Sequence, residues 1–110
     1  MGKAQKIAAL NDAFRRQPRQ KGKVVMTAAI DAMGYPFIHK CLETIKFPDA
    51  FTEDNDPHGE RDFLTFEVDG HKVWFKIDCY DRHYQDYGSE DPTDEAKTLR
   101  VGTFMFPEDY

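Results

Sequence analysis

The sequence predicts an α+β fold, a three- to four-stranded, mostly antiparallel sheet with two helices on one face. Two runs of alternating apolar and polar residues flank Asp69-Gly70, a pair well suited to a tight hairpin turn. Apolar residues recur at helical spacing in residues 3–16 and 37–45, and a last apolar run occupies residues 99–106. At 110 residues, the chain is expected to form a single α+β domain over residues 1–110.

In the first helix, Ile7, Leu10 and Phe14 form the apolar stripe, and Pro18 ends the helical pattern. Residues 24–30 begin with a β-branched apolar run, which predicts a buried strand whose end is ambiguous because its last residues could turn helical.

The second helix, residues 37–45, follows Pro36, which suits a first helical turn. Phe47 and Phe51 are expected to anchor the long connection at residues 46–62 to the core. Gly102 inside the last strand indicates a bulge or a close packing approach.

A two-residue turn at Asp69-Gly70 fixes the register of the hairpin, because paired positions in an antiparallel hairpin sum to a constant. Phe66 then faces Val73, and Glu67 faces Lys72 as a charge pair that a slip of one residue would break. The predicted core face carries Leu64, Phe66, Val68, Val73, Phe75, Ile77 and Cys79. The opposite face, here called the outer face, carries Phe63, Thr65, Glu67, Lys72, Trp74, Lys76, Asp78 and Tyr80.

The net charge of −5 is unevenly distributed. Residues 1–23 hold seven Lys or Arg and one acid, whereas residues 24–110 hold eight and nineteen. An acidic body argues against duplex-DNA binding, so direct binding of nucleic acid is not expected. The basic segment at residues 15–23 contains no aromatic residue, which favours a solvated connection over a contact with phosphate or with an acidic partner.

No run of about 18 apolar residues is present, and the N-terminus lacks the features of a signal peptide, so a cytoplasmic protein with no membrane contact is expected. The spacing of Cys41 and Cys79 fits neither a disulfide framework nor a zinc site, and both are expected to be reduced thiols.

The acidic segment at residues 54–62 resembles the start of a calcium loop, with carboxylates at alternate positions and glycine at the sixth. Position twelve is Thr65 rather than a bidentate glutamate, so the match is incomplete. The candidate ligands are Asp54, Asp56, His58, Glu60 and Asp62. The alternative is that the Asx residues only cap turns.

A related hypothesis joins His58, Glu60 and Asp62 to Asp78, Asp81 and His83 as a divalent-metal-dependent hydrolase or nuclease centre, because the register places them at one end of the hairpin. No catalytic residue is assigned, and an enzyme is the less favoured class. No cofactor is expected apart from this alternative divalent cation.

A third pattern predicts a protein-binding surface. Aromatic side chains rimmed by charge are typical of binding hot spots. The candidate partner-binding residues are Phe63, Trp74, Tyr80, Tyr84, Tyr87, Glu67 and Asp78. The alternative is that a helix or the C-terminal tail covers the outer face and makes Trp74 part of the core.

The motif FTEDNDPHGERDF, with FEVDGHKVWFKIDCYD, GSEDP and LNDAFRR, resembles a family of short bacterial proteins of unknown function found on plasmids and mobile elements. The resemblance covers residues 10–110 and departs from the family pattern at residues 81–88. It implies no catalytic residue. Its mobile-element context implies a small acidic protein-binding module that inhibits a host defence nuclease or CRISPR effector by docking on the basic surface of that partner.

Overall fold

The computed structural model describes residues 2–47 and 56–110 of the chain. The helices are α1 (Lys3–Arg16), α2 (Pro18–Lys21), α3 (Ala28–Asp31) and α4 (Tyr35–Lys46), and the strands are β1 (Gly22–Met26), β2 (Phe63–Val68), β3 (His71–Asp81) and β4 (Thr98–Met105). A 3₁₀ turn, Pro107–Asp109, follows the last strand. None of the helices in the described part of the chain is long and apolar enough to cross a membrane.

The strands form one mixed, mostly antiparallel sheet in the order β1-β4-β3-β2. Only the β1 pairing with β4 is parallel. Phe14 of α1 and Phe37, Cys41 and Ile45 of α4 join the core-face side chains of the sheet in one cluster. The predicted α+β class, strand number and two covering helices are therefore confirmed.

The hairpin has the predicted register, with Phe66 opposite Val73 and Glu67 opposite Lys72. Asp69 and Gly70 both have positive φ, 52° and 82°, as a type I′ turn requires. The side chain of Lys40 on α4 donates to the Asp69 carboxylate over 2.7 Å, so the turn is also tied to the helical layer.

The structure differs from the sequence predictions in the extent of the first strand and in the position of Phe47. The strand predicted over residues 24–30 spans Gly22–Met26, because the Thr27 hydroxyl accepts from the Ile30 backbone N–H and starts α3. The expected anchoring of Phe47 to the core is wrong, since this side chain is 78% exposed. Phe51 lies outside the described residues.

Gly102 allows two aromatic rings to lie directly on β4. A Cβ atom at this position would come within 2.2 Å of Phe75 Cζ and 3.0 Å of Phe14 Cε2. Phe75 also packs against Phe104, with ring centroids 4.7 Å apart. Of the two predicted roles of Gly102, a bulge or a close packing approach, the close approach is therefore confirmed.

Both cysteines are free thiols, as expected, with Cys41 fully buried and Cys79 partly buried. Burial, with a smaller effect from the negative charge of Asp69, raises the pKa of the Cys41 thiol to about 11. The folded protein therefore holds this proton at a pH at which the unfolded chain has begun to lose it.

We predict that Gly102→Ala destabilises the protein by about 2 to 3 kcal/mol, because the added methyl group overlaps Phe75 and forces the rings off β4. Urea unfolding followed by circular dichroism measures this loss. The matched control is Gly88→Ala, whose Cβ would meet only Cys79 O at 3.9 Å. Equal stability of the two variants would contradict the packing described here.

We also predict that the free energy of unfolding falls by about 1 kcal/mol between pH 9 and pH 10 through Cys41 alone. The sign follows from the raised thiol pKa, since the unfolded state binds fewer protons above pH 9 and gains from deprotonation. Urea unfolding at each pH should show a shallower decline for Cys41→Ala. An identical decline in both proteins would contradict the assignment.

Candidate functional site

The outer face of the sheet carries an aromatic cluster formed by Phe63, Trp74 and Tyr110. The Phe63 and Trp74 rings meet edge to face with centroids 5.3 Å apart, and Tyr110 lies 5.9 Å from Trp74 in the same geometry. The C-terminal residue thus partly covers Trp74, which is half-buried. Trp74 is therefore a packed residue on a face that stays partly open, and its role in partner binding stays a prediction.

Charges on this outer face are balanced rather than acidic. Glu67 lies opposite Lys72 in the hairpin register, and the Lys76 ammonium lies 3.4 Å from the Asp78 carboxylate. Glu67 is exposed and Asp78 is half-buried. Each of these two candidate acids therefore has a lysine as a neighbour on the same face, and the hairpin alone does not make an acidic docking surface.

An excess of negative charge lies instead in residues 82–97, here called the tyrosine loop, which joins β3 to β4. The loop holds five acids and two bases. Its two tyrosines, Tyr84 and Tyr87, are 70% and 69% exposed. The described structure shows no ring contact between them and the Phe63–Trp74 pair, so the predicted aromatic residues form two groups.

The two groups are connected along β3. Tyr80 lies on the outer face opposite Leu99, six residues beyond Trp74 and therefore about 20 Å along the strand. Next to Tyr80, the tyrosine loop folds back to form a bridge between Tyr80 and Gly88. The candidate surface is consequently an elongated strip that runs from Phe63 to Tyr87.

The first half of the tyrosine loop is held by backbone hydrogen bonds. The Asp81 N–H donates to Tyr87 O over 2.8 Å, and the Ser89 N–H donates to Cys79 O over 2.9 Å. The Asp81 carboxylate accepts from the N–H groups of Tyr84 and His83 at 2.8 and 2.9 Å. These bonds lower the pKa of Asp81, so the charge that organises the turn is retained in mildly acidic solution.

The second half of the loop is fixed in a similar way. The Asp91 carboxylate accepts from the hydroxyl and the N–H of Thr93, which lowers the pKa of Asp91. Arg82 reaches across the loop and donates to Thr98 O over 2.8 Å and to Glu95 O over 3.1 Å. The exposed tyrosines therefore stand on a backbone with a defined conformation.

A buried polar hub, formed by Arg100 and Asn11, ties the tyrosine loop to the helical layer. Arg100 is only 3% exposed; its Nε donates to Asn11 Oδ1 over 2.8 Å and its Nη2 to Pro92 O over 2.7 Å. The Asn11 amide donates in turn to Glu60 O over 3.0 Å. Burial lowers the pKa of the Arg100 guanidinium, which forms no ion pair with any acid in residues 2–47 and 56–110.

A second set of contacts fixes the segment before β2. Asp12 forms ion pairs with both Arg15 and Arg61, the latter over 2.7 Å. Arg15 also donates to Arg61 O over 3.0 Å. The Asp56 carboxylate accepts from the Arg61 N–H, which supports the positive φ of 53° at Arg61. Arg15 is therefore buried and structural, although the sequence grouped it with a solvated basic segment.

The candidate metal ligands are not gathered in the described residues. Within residues 2–47 and 56–110, no three His, Cys, Asp or Glu side chains could hold an ion together. Asp56 caps the turn at Arg61, as the Asx alternative expected, and His58 is exposed. Asp62 is exposed and pairs with Ile77 through its backbone, as the register predicted. Asp54 lies outside the described residues.

Two carboxylates of the predicted hydrolase centre lie in β3 and contact groups outside that predicted centre or backbone N–H groups. Asp78 faces Lys76, and Asp81 accepts from the backbone of His83 and Tyr84. Burial raises the pKa of the nearby Cys79 thiol, which keeps it protonated at neutral pH.

Sequence reasoning missed the Arg100–Asn11 hub, although a signal for it exists. Asn11 follows Ile7 by four residues on the apolar stripe of α1, and Arg100 alternates with Gly102 and Phe104 on the core face of β4. Polar residues at core positions require polar partners. The pairing itself was not accessible, because the two residues lie 89 positions apart.

Residues 26–109 match the model of a family described as Protein of unknown function (DUF3768). No curated protein and no solved structure is similar enough to match the chain. The family description therefore supplies no activity for this chain.

We predict that Asn11→Leu destabilises the protein by about 3 kcal/mol or more, since it leaves Glu60 O and the Arg100 guanidinium without their buried partner. Urea unfolding measures the loss, and Lys6→Leu at an exposed position of the same helix serves as the control, with an expected change within about 0.5 kcal/mol. A stability of Asn11→Leu equal to that of the control would contradict the role of the hub.

Proposed function

The chain belongs to this family of unknown function, and we propose that it is a protein-binding module that docks its tyrosine loop on a basic protein surface. The observation that carries the proposal is the pair Tyr84 and Tyr87, each about 70% exposed on a loop with five acids and two bases. Tyrosine is enriched in binding hot spots because its large ring combines apolar area with a polar tip.

The hydrogen bonds of the loop support this proposal. A segment that is already ordered loses less conformational entropy when it binds, so more of the contact energy appears as affinity. Asp81 and Asp91 hold the two halves of the loop, and Arg82 joins the loop to Thr98 at the start of β4. The exposed rings of Tyr84 and Tyr87 are thus attached to a backbone that hydrogen bonds hold in place.

Charge supports a basic partner. The excess acids of the tyrosine loop would steer such a partner and set its orientation. The neutral part of the outer face around Phe63 and Trp74 would add apolar contact area beside the loop. Glu67 and Asp78, which already face lysines, contribute less than the sequence suggested.

A basic protein surface is typical of enzymes that bind nucleic acid, because phosphates are neutralised by Lys and Arg. An acidic module that covers such a surface competes with the nucleic acid. Together with the mobile-element context that the resemblance implies, this favours inhibition of a host defence nuclease or CRISPR effector. The alternative, a metal-dependent hydrolase, has no specific observation in its favour among the described residues.

We predict that Tyr84→Ala/Tyr87→Ala weakens capture of the partner from a nuclease-treated host lysate by at least about tenfold, because two hot-spot rings are lost. The captured protein, once purified, should lose its nuclease activity when the wild-type module is added in equimolar amount. The double variant should retain the wild-type melting temperature, since both rings are exposed.

The matched control is Tyr35→Ala on α4, which removes a tyrosine with the same exposure, 69%, from the opposite layer of the molecule. It should leave capture and inhibition unchanged. Equal loss in both variants, or a captured protein whose activity the module does not change, would contradict the proposal.

A further inference from the structure

A groove of about 330 Å³ lies between the α1–α2 junction and α4, on the helical layer and away from the outer face of the sheet. Here it is called the helical groove. Its lining includes Arg16, Gln17, Arg19, Tyr35, His39 and Lys46. The volume is within the range of small-ligand sites.

The groove has a net positive character. Lys46 donates to Glu43 over 3.0 Å, and this hydrogen bond is the main cause of the lowered pKa of Glu43. These two charges therefore offset each other. Arg16 and Arg19 form no ion pair with the acids of residues 2–47 and 56–110, so both guanidinium groups are available to an anion.

Flat rings stand beside these cations. The Tyr35 and His39 rings stack with centroids 5.8 Å apart and an interplanar angle of 29°, and the Tyr35 ring is well exposed. The Arg16 guanidinium lies 5.4 Å from the centroid of the exposed Phe47 ring. The sequence placed no aromatic residue within the basic segment, but the fold brings these three rings to it from α4 and its C-terminal end.

We propose that the helical groove binds a nucleoside phosphate, either free or as one unit of a single strand. Arg16 and Arg19 would bind the phosphate, since guanidinium groups pair well with its oxygens. The exposed Tyr35 ring would stack on the base. This inference is independent of the proposed docking of the tyrosine loop.

The negative charge of the rest of the chain limits the length of nucleic acid that the groove could bind, but it does not exclude a short ligand. Two available guanidinium groups match one or two phosphates, whereas an extended duplex needs a contiguous basic surface. A ligand with one or two nucleotides in the groove is therefore consistent with the net charge of −5. The exposed rings favour a nucleotide over an acidic peptide as the ligand. A nucleotide has a planar base that can stack on them, whereas the carboxylates of a peptide would contact only the cations.

The test is a titration of ¹⁵N-labelled protein with adenosine monophosphate and with a four-residue oligodeoxyadenylate, followed by amide chemical shifts. Shifts are expected at the amide groups of residues 16–20 and 35–43, apart from Pro18 and Pro36, which have no N–H. Arg16→Gln/Arg19→Gln and Tyr35→Ala should each weaken binding by about fivefold or more. Raising salt from 50 to 200 mM should weaken strand binding about sevenfold if two phosphates are neutralised.

Lys3→Gln/Lys6→Gln is the charge-matched control, because it removes two exposed cations from the other end of α1. It should bind as the wild type does. Tighter binding of the strand supports a strand site, and equal binding supports a site for the free nucleotide. No shifts in the groove, equal loss in Lys3→Gln/Lys6→Gln, or tighter binding of a four-residue oligoglutamate would overturn the proposal.

Discussion

The buried guanidinium of Arg100 is the contact on which the arrangement of the tyrosine loop, α1 and the segment before β2 depends. Removing a charge from water is costly, and the cost is offset only where each donor meets a well-placed acceptor. Arg100 meets Asn11 from α1 and Pro92 O from the tyrosine loop, and Asn11 extends the connection to Glu60 O before β2. One hub thus fixes a helix and two loops that are distant in sequence, and a hydrogen-bonded buried network favours a single arrangement of them.

The sheet divides the molecule into two layers with different tasks. Its core face is used for stability, with Phe14 and Phe75 packed where Gly102 leaves room, and α1 and α4 cover it. The outer face lacks a covering helix in the described residues and is only partly shielded by Tyr110. The two proposed binding sites therefore lie at the periphery: the tyrosine loop at the end of β3 and the helical groove between the α1–α2 junction and α4.

Features that depend on contacts between residues close in sequence could be predicted, whereas features that depend on distant residues could not. The hairpin register follows from Asp69-Gly70 and from alternation over adjacent residues, so it was predictable. The burial of Arg15, the exposure of Phe47 and the Arg100–Asn11 pairing depend on elements far apart in the chain, and composition could not indicate them.

The same distinction applies to the candidate site. Tyr84 and Tyr87 were among the aromatic residues predicted to lie on the surface, and both are exposed. That this loop is braced by Asp81 and Asp91 depends on carboxylate positions that a sequence gives only as frequent turn formers. The hairpin face is neutral because Lys72 and Lys76 lie beside Glu67 and Asp78, whereas the candidate site predicted from the sequence included only the two acids.

The central claim is that the tyrosine loop is ordered before any partner binds. Residue-resolved hydrogen exchange of the free protein tests it most directly through the N–H groups of Asp81, Arg82 and Ser89, which donate to Tyr87 O, Lys97 O and Cys79 O. We expect these amides to exchange nearly as slowly as those in the centre of β3. Exchange at the rate of an unstructured peptide would show that the loop is not held, and would contradict the account of the binding surface.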